Sequence, residues 1–308
     1  MAKEVNEAGK SLLEIIADTG KIPEAMNLRI NGHSCDRKVS ENINITNKED
    51  RPGINVTIKP FTVDETVSIP VVITEGGIND TVYNTIDVGE GSNITISAGC
   101  GIHNDSDGCS EHDGIHDFVI RENAKVKYIE NHYGEGNGSG EKILNPKTKI
   151  ELMENAIAEL DMTQIEGVDS TIRNTEIILH ENARIVITER LMTSGNQRAD
   201  SNIDVIIKGD GASAQIISRS VAKGNSIQNF YMTLTGNAKC KGHIQCDSII
   251  MDNAKVASTP KIYAANTEAE LIHEATVGRI ANDQLTKLMT IGITEEEAEK
   301  IIIEGFLE

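Results

Sequence analysis

A short unit that recurs six times constrains the fold of this chain more than any other feature of its sequence. In each copy, an Asn-Ala or Gly-Ala pair precedes a short run in which residues of different polarity alternate. The copies are ENAKVKYIE, ENAIAELDM, ENARIVITE, DGASAQIIS, GNAKCKGHI and DNAKVASTP, with Ala124, Ala156, Ala183, Ala212, Ala238 and Ala254 as their alanines. The alanines are spaced by 32, 27, 29, 26 and 16 residues, and the last spacing predicts either a half-turn or a different register. A period of about 28 residues is typical of stacked repeat architectures.

The residues after each pair have the periodicity of a β-strand. Ile185 and Ile187 fall on one face of such a strand, with Val186 and Thr188 on the other. Asn tolerates left-handed backbone angles, so it can begin each strand from a tight corner. Helical repeats need an apolar stripe of helical period, which this stretch lacks. Stacked strand-turn-strand coils form a parallel β-solenoid, which we predict; a β-sandwich is the alternative, although hairpin signals are few.

Short runs of Ile, Val and Thr predict further strands before the first repeat, at Ile54–Ile58, Val67–Thr74 and Asn93–Ser97. Charged and turn residues separate these runs. The chain has four Phe, five Tyr and no Trp, so the strands must pack around an aliphatic core.

The N-terminal residues 4–19 carry an apolar stripe that ends near Gly20, which predicts a helix. A second short helical piece is predicted to open at Pro23. The sequence therefore divides into an N-terminal helical segment (1–30), a solenoid core (31–275) and a C-terminal helical region (276–308).

The C-terminal region predicts two helices. The first covers Asp283–Thr290 and stops at Gly292; the second begins with a capping box formed by Thr294 and Glu297. Their apolar stripes include Leu285, Leu288, Met289, Ile301 and Ile302. These residues either pack on the end of the solenoid or dock a partner.

Charge limits the partners. The formal net charge of -19 disfavours non-specific binding to nucleic acid or to a polyanionic membrane surface. The sequence has no long apolar run and no pattern of a secretory signal, so we predict a cytoplasmic protein. An odd count of five cysteines argues against a disulfide framework and leaves core thiols or metal ligands.

The densest group of chemically active residues spans seventeen positions. It contains Cys100, His103, Cys109, His112 and His116. Thiolate and imidazole together suit zinc, ferrous iron or a cluster, although the spacing matches no zinc finger. The alternative is a polar loop with one buried cysteine.

Two smaller groups follow. Cys240 and Cys246 share a face if their segment is a strand, and His243 then faces the opposite way. The pair His273-Glu274 is a weak signal, and Val277 excludes the two-histidine zinc protease motif. No nucleophile elbow, phosphate loop or dinucleotide fingerprint appears, so the sequence predicts a protein that is not itself an enzyme.

The stretch from Cys246 to Phe306 resembles the C-terminal signature of the SufB/SufD scaffold family. The resemblance lies in four segments: CDS at its beginning, HEAT at 273–276, the pattern DQLxxLMxxGI, and the pattern EExAxxxIIxGF at its end. The segments SRSVAKGNS and CGIH…HDGIH also resemble compact members of that family.

The resemblance implies a mainly β protein whose core is a right-handed parallel β-helix with short helical ends. It implies a non-catalytic scaffold on which iron–sulfur clusters are assembled and handed to recipient apoproteins. The partners implied are a SufC-like ABC-type ATPase, docked by the C-terminal helices, a sulfur donor and a second copy of the chain. We therefore expect a homodimer in a two-plus-two complex, carrying a transient [4Fe-4S] or [2Fe-2S] cluster.

By the same resemblance, Cys246 and Glu274 are the leading cluster ligands, and Cys240 and Cys100 are next. The resemblance defines the roles of six further residues less closely: Cys109, His103, His243, His273, His112 and His116. Two other functions stay open: a structural β-solenoid interaction module without a cluster, and a zinc-dependent hydrolase that uses residues 100–116.

Overall fold

The computed structural model describes residues 6–17 and 22–308, and its core is a β-solenoid of about eight turns. The predicted solenoid is thus confirmed, whereas its right-handed winding stays a prediction. The strands are β1 (Ala25–Ile30), β2 (His33–Lys38), β3 (Ile43–Asn47), β4 (Gly53–Ile58), β5 (Val63–Ser68), β6 (Val71–Ile73), β7 (Asn79–Val88), β8 (Asn93–Ser97), β9 (Cys100–His103), β10 (Ser110–Ile120), β11 (Lys125–Glu135), β12 (Lys142–Leu144), β13 (Lys147–Leu152), β14 (Ile157–Glu166), β15 (Ser170–Leu179), β16 (Arg184–Thr193), β17 (Arg198–Ile207), β18 (Ser213–Ala222), β19 (Ile227–Gly236), β20 (Lys241–Ile250), β21 (Lys255–Ala264) and β22 (Glu270–Gly278). The helices are α1 (Glu7–Ile16), α2 (Asn282–Thr290) and α3 (Glu295–Leu307).

The strands form two sheets that face each other across the core. The first sheet runs in the order β22-β20-β18-β16-β14-β11-β8-β5-β1-β6-β9, and the second in the order β21-β19-β17-β15-β12-β10-β7-β4-β3. From β4 onward the pairings are parallel, which a sandwich of hairpins would not give. Antiparallel pairs occur between β1 and β2 and between β3 and β4, both at the N-terminal end.

The recurring pairs form the corners of the coils. Asn123, Asn155 and Asn182 have φ values of 58°, 58° and 53°, and the alanine after each is fully buried. In the fourth copy Gly211 supplies the same left-handed backbone. The short last spacing is a half-turn, one of the two predicted alternatives, because Ala238 precedes β20 of the first sheet and Ala254 precedes β21 of the second.

Alternation along each strand sends aliphatic side chains inward. In β16, Ile185 and Ile187 are buried, whereas Val186 is 38% exposed, as the sequence predicts. The core is aliphatic along its length, and its few aromatic side chains include Phe118 and Tyr128, whose rings meet edge to face with centroids 5.0 Å apart.

The N-terminal region differs from the prediction. The first helix is α1, and the side chain of Asn6 accepts a hydrogen bond from Gly9 N at 2.8 Å. The predicted end at Gly20 lies outside the described residues. The helical piece predicted at Pro23 is wrong, because Ala25–Ile30 is a strand that pairs with β2, β5 and β6.

Two of the three early strand predictions are confirmed by β4 and β8. The third, Val67–Thr74, is two strands, because β5 ends at Ser68 and β6 begins at Val71. Pro70 lies between them and cannot donate a backbone hydrogen bond to a sheet.

The C-terminal helices have the predicted ends. Gly292 has a φ of 92° after α2, and the Thr294–Glu297 capping box opens α3. Helix α3 packs on the outer face of the first sheet, where Ile303 and Leu307 contact Val221. None of the helices described is long and apolar enough to cross a bilayer.

Candidate functional site

The solenoid interior is not purely aliphatic. Cys100 on β9 and His112 and His116 on β10 all point inward, with 6%, 2% and 5% of their surface exposed. His132 pairs in register with Cys100 and is also buried. Together with Glu130 these four residues form what we call the interior thiol site.

A small cavity lies at the centre of the interior thiol site. It offers about 10 Å³ to water, close to the volume of one water molecule, and all five residues of the site line it. Gly114 lies between the two inward histidines of β10, and a Cβ there would come within 2.9 Å of His116 Nε2. His112 Nε2 is buried and has no nitrogen or oxygen partner among the described residues. The cavity is therefore polar, and the remaining interaction of the His112 ring is with the Cys100 thiol.

A chain of contacts fixes the orientation of His112. Its Nδ1 lies 3.1 Å from Asp80 Oδ2, and Arg29 Nε donates to the same oxygen at 2.7 Å. Burial alone would raise the pKa of Asp80, but the Arg29 guanidinium and His112 hold it far below its usual range. Asp80 is therefore ionised, and we refer to Arg29, Asp80 and His112 as the Asp80 relay.

The Asp80 relay controls the ionisation of Cys100. Burial raises the pKa of the thiol, but its interactions with His112, and to a lesser degree with His132, outweigh burial and lower that pKa from 9.0 to about 7. Burial lowers the pKa of His112, yet the charges of Cys100 and Asp80 raise it to about 10. Between these two values Cys100 is a thiolate beside an imidazolium.

Substituting Asp80 tests the relay. In Asp80→Asn the imidazolium loses its ion pair, so the pKa of Cys100 should move from about 7 back toward 9.0. The thiolate fraction at neutral pH should then fall by about tenfold or more. The measurement is a pH titration of thiolate ultraviolet absorbance, with Cys100→Ser as the blank. An unchanged midpoint would show that the Asp80 relay does not act on Cys100.

A second buried charge network adjoins this site. Arg173 Nη1 lies 2.5 Å from Glu130 Oε1, and its Nε lies 3.6 Å from Glu189 Oε1. Ser201 and Ser218 donate hydrogen bonds to Glu189 at 2.6 and 2.8 Å. Burial raises the pKa of Glu130, but Arg173 is the main cause that lowers it to about 2. Two glutamate side chains thus share one guanidinium in the core.

Cys246 lies further along the same interior. Glu130, Met162, Glu189, Ser218 and Cys246 occupy one inward column of the first sheet, each in register with the next. The thiol of Cys246 is 3.2 Å from the sulfur of Met232. Burial raises the pKa of Cys246 to about 11, so in this structure it is a neutral thiol, unlike Cys100.

The two leading predicted ligands are on opposite faces of the first sheet. Cys246 pairs with Ala275, and Glu274 pairs with Gln245. Cys246 therefore faces the core, whereas the Glu274 side chain is 64% exposed on the outside, where its Oε2 lies 3.6 Å from His243 Nε2. One chain as it stands does not bring Cys246 and Glu274 to one ion.

The other predicted residues divide in the same way. Cys240 is buried, and His243 faces away from it, as alternation predicts. His273 is half-buried in register with Ile244, on the core face opposite to Glu274. Within residues 6–17 and 22–308, no three Cys, His, Asp or Glu side chains are arranged to hold a metal ion.

The residues 100–116 do not act as one group. His103 lies between Glu135 and Asp105, 2.9 Å from each, and Cys109 is exposed in the turn before β10. The structure separates both from the cavity that Cys100, His112 and His116 share. Strand alternation and the turn before β10 therefore divide the group, and a metal or cluster role for its members stays a prediction.

Four residues of this region were not predicted from the sequence: His132, Glu130, Arg173 and Asp80. A signal was present, because Glu130 and His132 fall at inward positions of an alternating strand, in the run KYIENHYGE. A charged residue at a core position is costly unless it is paired, so it marks a network. Its partner Arg173 is distant in the sequence and could not be identified from spacing.

The predicted docking residues lie on the surface of the C-terminal helices. Met289 and Ile301 are 45% and 46% exposed, and Ile291 between the helices is 73% exposed. Leu285, Leu288 and Ile302 are half-buried. Three apolar side chains of the C-terminal region, Met289, Ile291 and Ile301, are therefore exposed.

Comparison with known proteins assigns the chain to a family. Residues 72–306 match the family described as SUF system FeS cluster assembly, SufBD core domain. An iron-sulfur cluster assembly SufBD family protein of Methanocaldococcus jannaschii is 32% identical over 237 residues, which are 76% of this chain and 74% of that protein. One of Methanothermobacter thermautotrophicus (strain Winter) is 29% identical over 240 residues, 76% of this chain and 57% of its own length. One of Synechocystis is 30% identical over 204 residues, 63% of this chain and 42% of its own length.

Proposed function

Because this chain belongs to the SufBD family of iron–sulfur cluster assembly proteins, we propose that it is the non-catalytic scaffold on which clusters are built. The observation that carries this proposal is the interior thiol site. A thiolate is the form of cysteine that binds iron and holds sulfur, and burial alone would have kept Cys100 neutral. The Asp80 relay makes the thiolate available at neutral pH.

The C-terminal end of the solenoid supports assembly of the cluster between two copies. Strands β21 and β22 are the last of their sheets, and the exposed apolar side chains there include Tyr263, Ile272 and Val277. A free strand edge with exposed apolar residues is a surface that natural proteins normally cover. We propose that a second copy covers it and forms a homodimer.

This dimer would bring the separated donors together. Cys246 lies one strand from the free edge, and Glu274 is on the edge strand itself. A seam between two copies can recruit donors that one chain holds apart, with Cys240, His243 and His273 nearby. Incomplete thiolate ligation suits a cluster that must be released, because carboxylate is a weaker ligand for iron than thiolate. The cluster is therefore cargo, of the [4Fe-4S] or [2Fe-2S] type, and passes to recipient apoproteins.

We propose that a SufC-like ABC-type ATPase docks on α2 and α3. The chain itself shows no phosphate loop, so the energy to open the seam must come from ATP bound by that partner. The exposed surface of Met289, Ile291 and Ile301 fits an apolar partner surface.

The direct test is anaerobic co-expression with the cognate ATPase, followed by iron and acid-labile sulfide counts on the purified complex. A scaffold should carry both in stoichiometric amounts and release them to an apoprotein. A complex without iron or sulfide would instead support a structural module. Stoichiometric zinc with hydrolytic activity would support the hydrolase.

The double variant Cys240→Ser, Cys246→Ser tests the ligand assignment. We expect its cluster content to fall by about tenfold, because a serine hydroxyl does not replace a thiolate on iron. Cys35→Ser is the matched control, since Cys35 lies in the hairpin of β1 and β2, far along the chain from this end. Wild-type cluster content in the double variant would remove both cysteines from the ligand set.

Charged substitutions test the docking surface. In Met289→Asp, Ile291→Asp we expect the ATPase to be lost from co-purification, because two carboxylates would be buried against an apolar partner. The fold should persist, since both side chains are exposed. Thr286→Asp on the same helix is the control. Retained binding would place the contact elsewhere.

A further inference from the structure

A pocket of about 330 Å³ lies at the N-terminal end of the solenoid, and we call it the N-terminal pocket. It is formed between β1 and β2 on one side and the loop that joins β3 to β4 on the other, and Val82 and Asn84 of β7 also line it. The polar lining residues include Asn27, Arg29, Asn47, Lys48, Arg51 and Asn84. Its volume is at the lower end of the range for small-molecule sites.

The charge of the N-terminal pocket is opposite to that of the chain. The sequence has 48 acidic and 29 basic residues, yet the lining includes Arg29, Lys48 and Arg51 and no carboxylate. A pocket lined by one sign of charge attracts ligands of the other. This composition points to an anion.

Two of the four cations in or beside the pocket, Lys48 and Arg37, have no acidic partner among the described residues, whereas Arg29 is paired with Asp80 and Arg51 with Asp50. Lys48 Nζ donates only to neutral oxygens, Asn55 Oδ1 at 2.9 Å and Thr85 Oγ1 at 2.8 Å. Arg37 binds the lining amides of Asn27 and Asn47, and no carboxylate of the described residues lies within ion-pair distance of it. Arg51 has one exposed acidic neighbour, Asp50, and its guanidinium lies 4.7 Å from the centre of the Tyr83 ring.

The pocket shares residues with the interior thiol site. Arg29 lines the pocket and binds Asp80, which binds His112. Asn84 also lines it, and its Nδ2 lies 3.4 Å from His116 Nδ1. The contacts through Asp80 and the contact of Asn84 therefore each join the pocket to a histidine of the cavity beside Cys100.

We propose that the N-terminal pocket binds a small organic anion of about amino-acid size through its carboxylate. Guanidinium and ammonium groups with neutral partners can donate charge-assisted hydrogen bonds to a carboxylate without first breaking an ion pair. The inference rests on the proposed function in one respect: beside an interior thiolate site, the fitting occupant is a thiol compound that carries a carboxylate.

The test is calorimetric titration of the full-length, iron-free protein with cysteine and with cysteamine, which has the same thiol and no carboxylate. We expect cysteine to bind and cysteamine not to bind. In Lys48→Met, Arg51→Met the dissociation constant for cysteine should rise by about tenfold or more, from the loss of charge-assisted hydrogen bonds. Lys149→Met, on an exposed position of β13, is the control and should bind as wild type.

Three results would overturn the proposal. They are no binding of cysteine, equal binding of cysteamine, and cysteine binding that the double variant leaves unchanged. Inorganic sulfate serves as a further probe, and sulfate that binds as tightly as cysteine would show a general anion site rather than a carboxylate site. Because the protein is iron-free here, the proposal can fail while cluster loading on the complex succeeds.

Discussion

Replacing Arg173 with methionine is expected to lower the free energy of unfolding by about 3–5 kcal/mol, the usual cost of breaking a buried ion pair. Arg173 is 5% exposed and lies between Glu130 and Glu189, which are 1% and 2% exposed. Without the guanidinium, both carboxylates lose the cation that they share, and Glu130 keeps the His132 ring, whose Nε2 lies 3.4 Å from its Oε1. The two carboxylates could instead become protonated, but protonating a carboxylate at neutral pH also costs free energy.

Denaturant unfolding measures this effect, and two further variants define it. Arg121→Met removes an exposed ion pair with Asp87 and should cost less than about 1 kcal/mol. Adding Glu130→Gln and Glu189→Gln to Arg173→Met should recover part of the loss, because neutral amides do not need the cation. Arg173→Met with the stability of Arg121→Met would contradict the assignment of a dry, charged core.

Replacing Cys100 with serine should reduce the iron and sulfide of the purified complex by about tenfold or more, since serine stays neutral and protonated where Cys100 is a thiolate. The fold should tolerate the change, because serine is smaller than cysteine and Ser97 and Ser110 are already buried nearby. A loss of cluster from a Cys100→Ser variant that still folds would therefore reflect the loss of the thiolate and not a loss of structure.

Cys109→Ser is the matched control for this prediction. Cys109 lies in the same region, but its residue is exposed to solvent. The pKa of its thiol is raised by partial burial and by the nearby carboxylates of Glu141 and Glu111. It should retain wild-type cluster content. A Cys100→Ser complex that carries as much cluster as Cys109→Ser would remove the interior thiol site from the proposed function.

The repeat, the corners and the C-terminal helices could be predicted because each rests on local chemistry. An Asn at a left-handed corner, an alanine in a crowded corner and a capping box each determine the backbone conformation of residues only a few positions away. The strand at Ala25–Ile30 could not be predicted in the same way, because its pairing with β5 and β6 depends on residues about forty positions away.

The candidate site shows the same limit. Alternation correctly placed Cys240 and Cys246 on one face and His243 on the other. It could not show that β9 and β11 bring Cys100 against His132, or that Asp80 of β7 reaches His112 of β10, because solenoid stacking makes these contacts. The ligand pair Cys246 and Glu274 came from resemblance, and the register shows that a single chain separates them.

The central claim is that Cys100 ionises near neutral pH inside the solenoid, and its pH titration tests that claim most directly. The thiolate absorbance of the folded protein, less that of Cys100→Ser, should appear with a midpoint near pH 7. Because the folded pKa is the depressed one, the signal should be full well above that midpoint and lost below it. A midpoint at or above the ordinary thiol value of 9.0 would contradict the account.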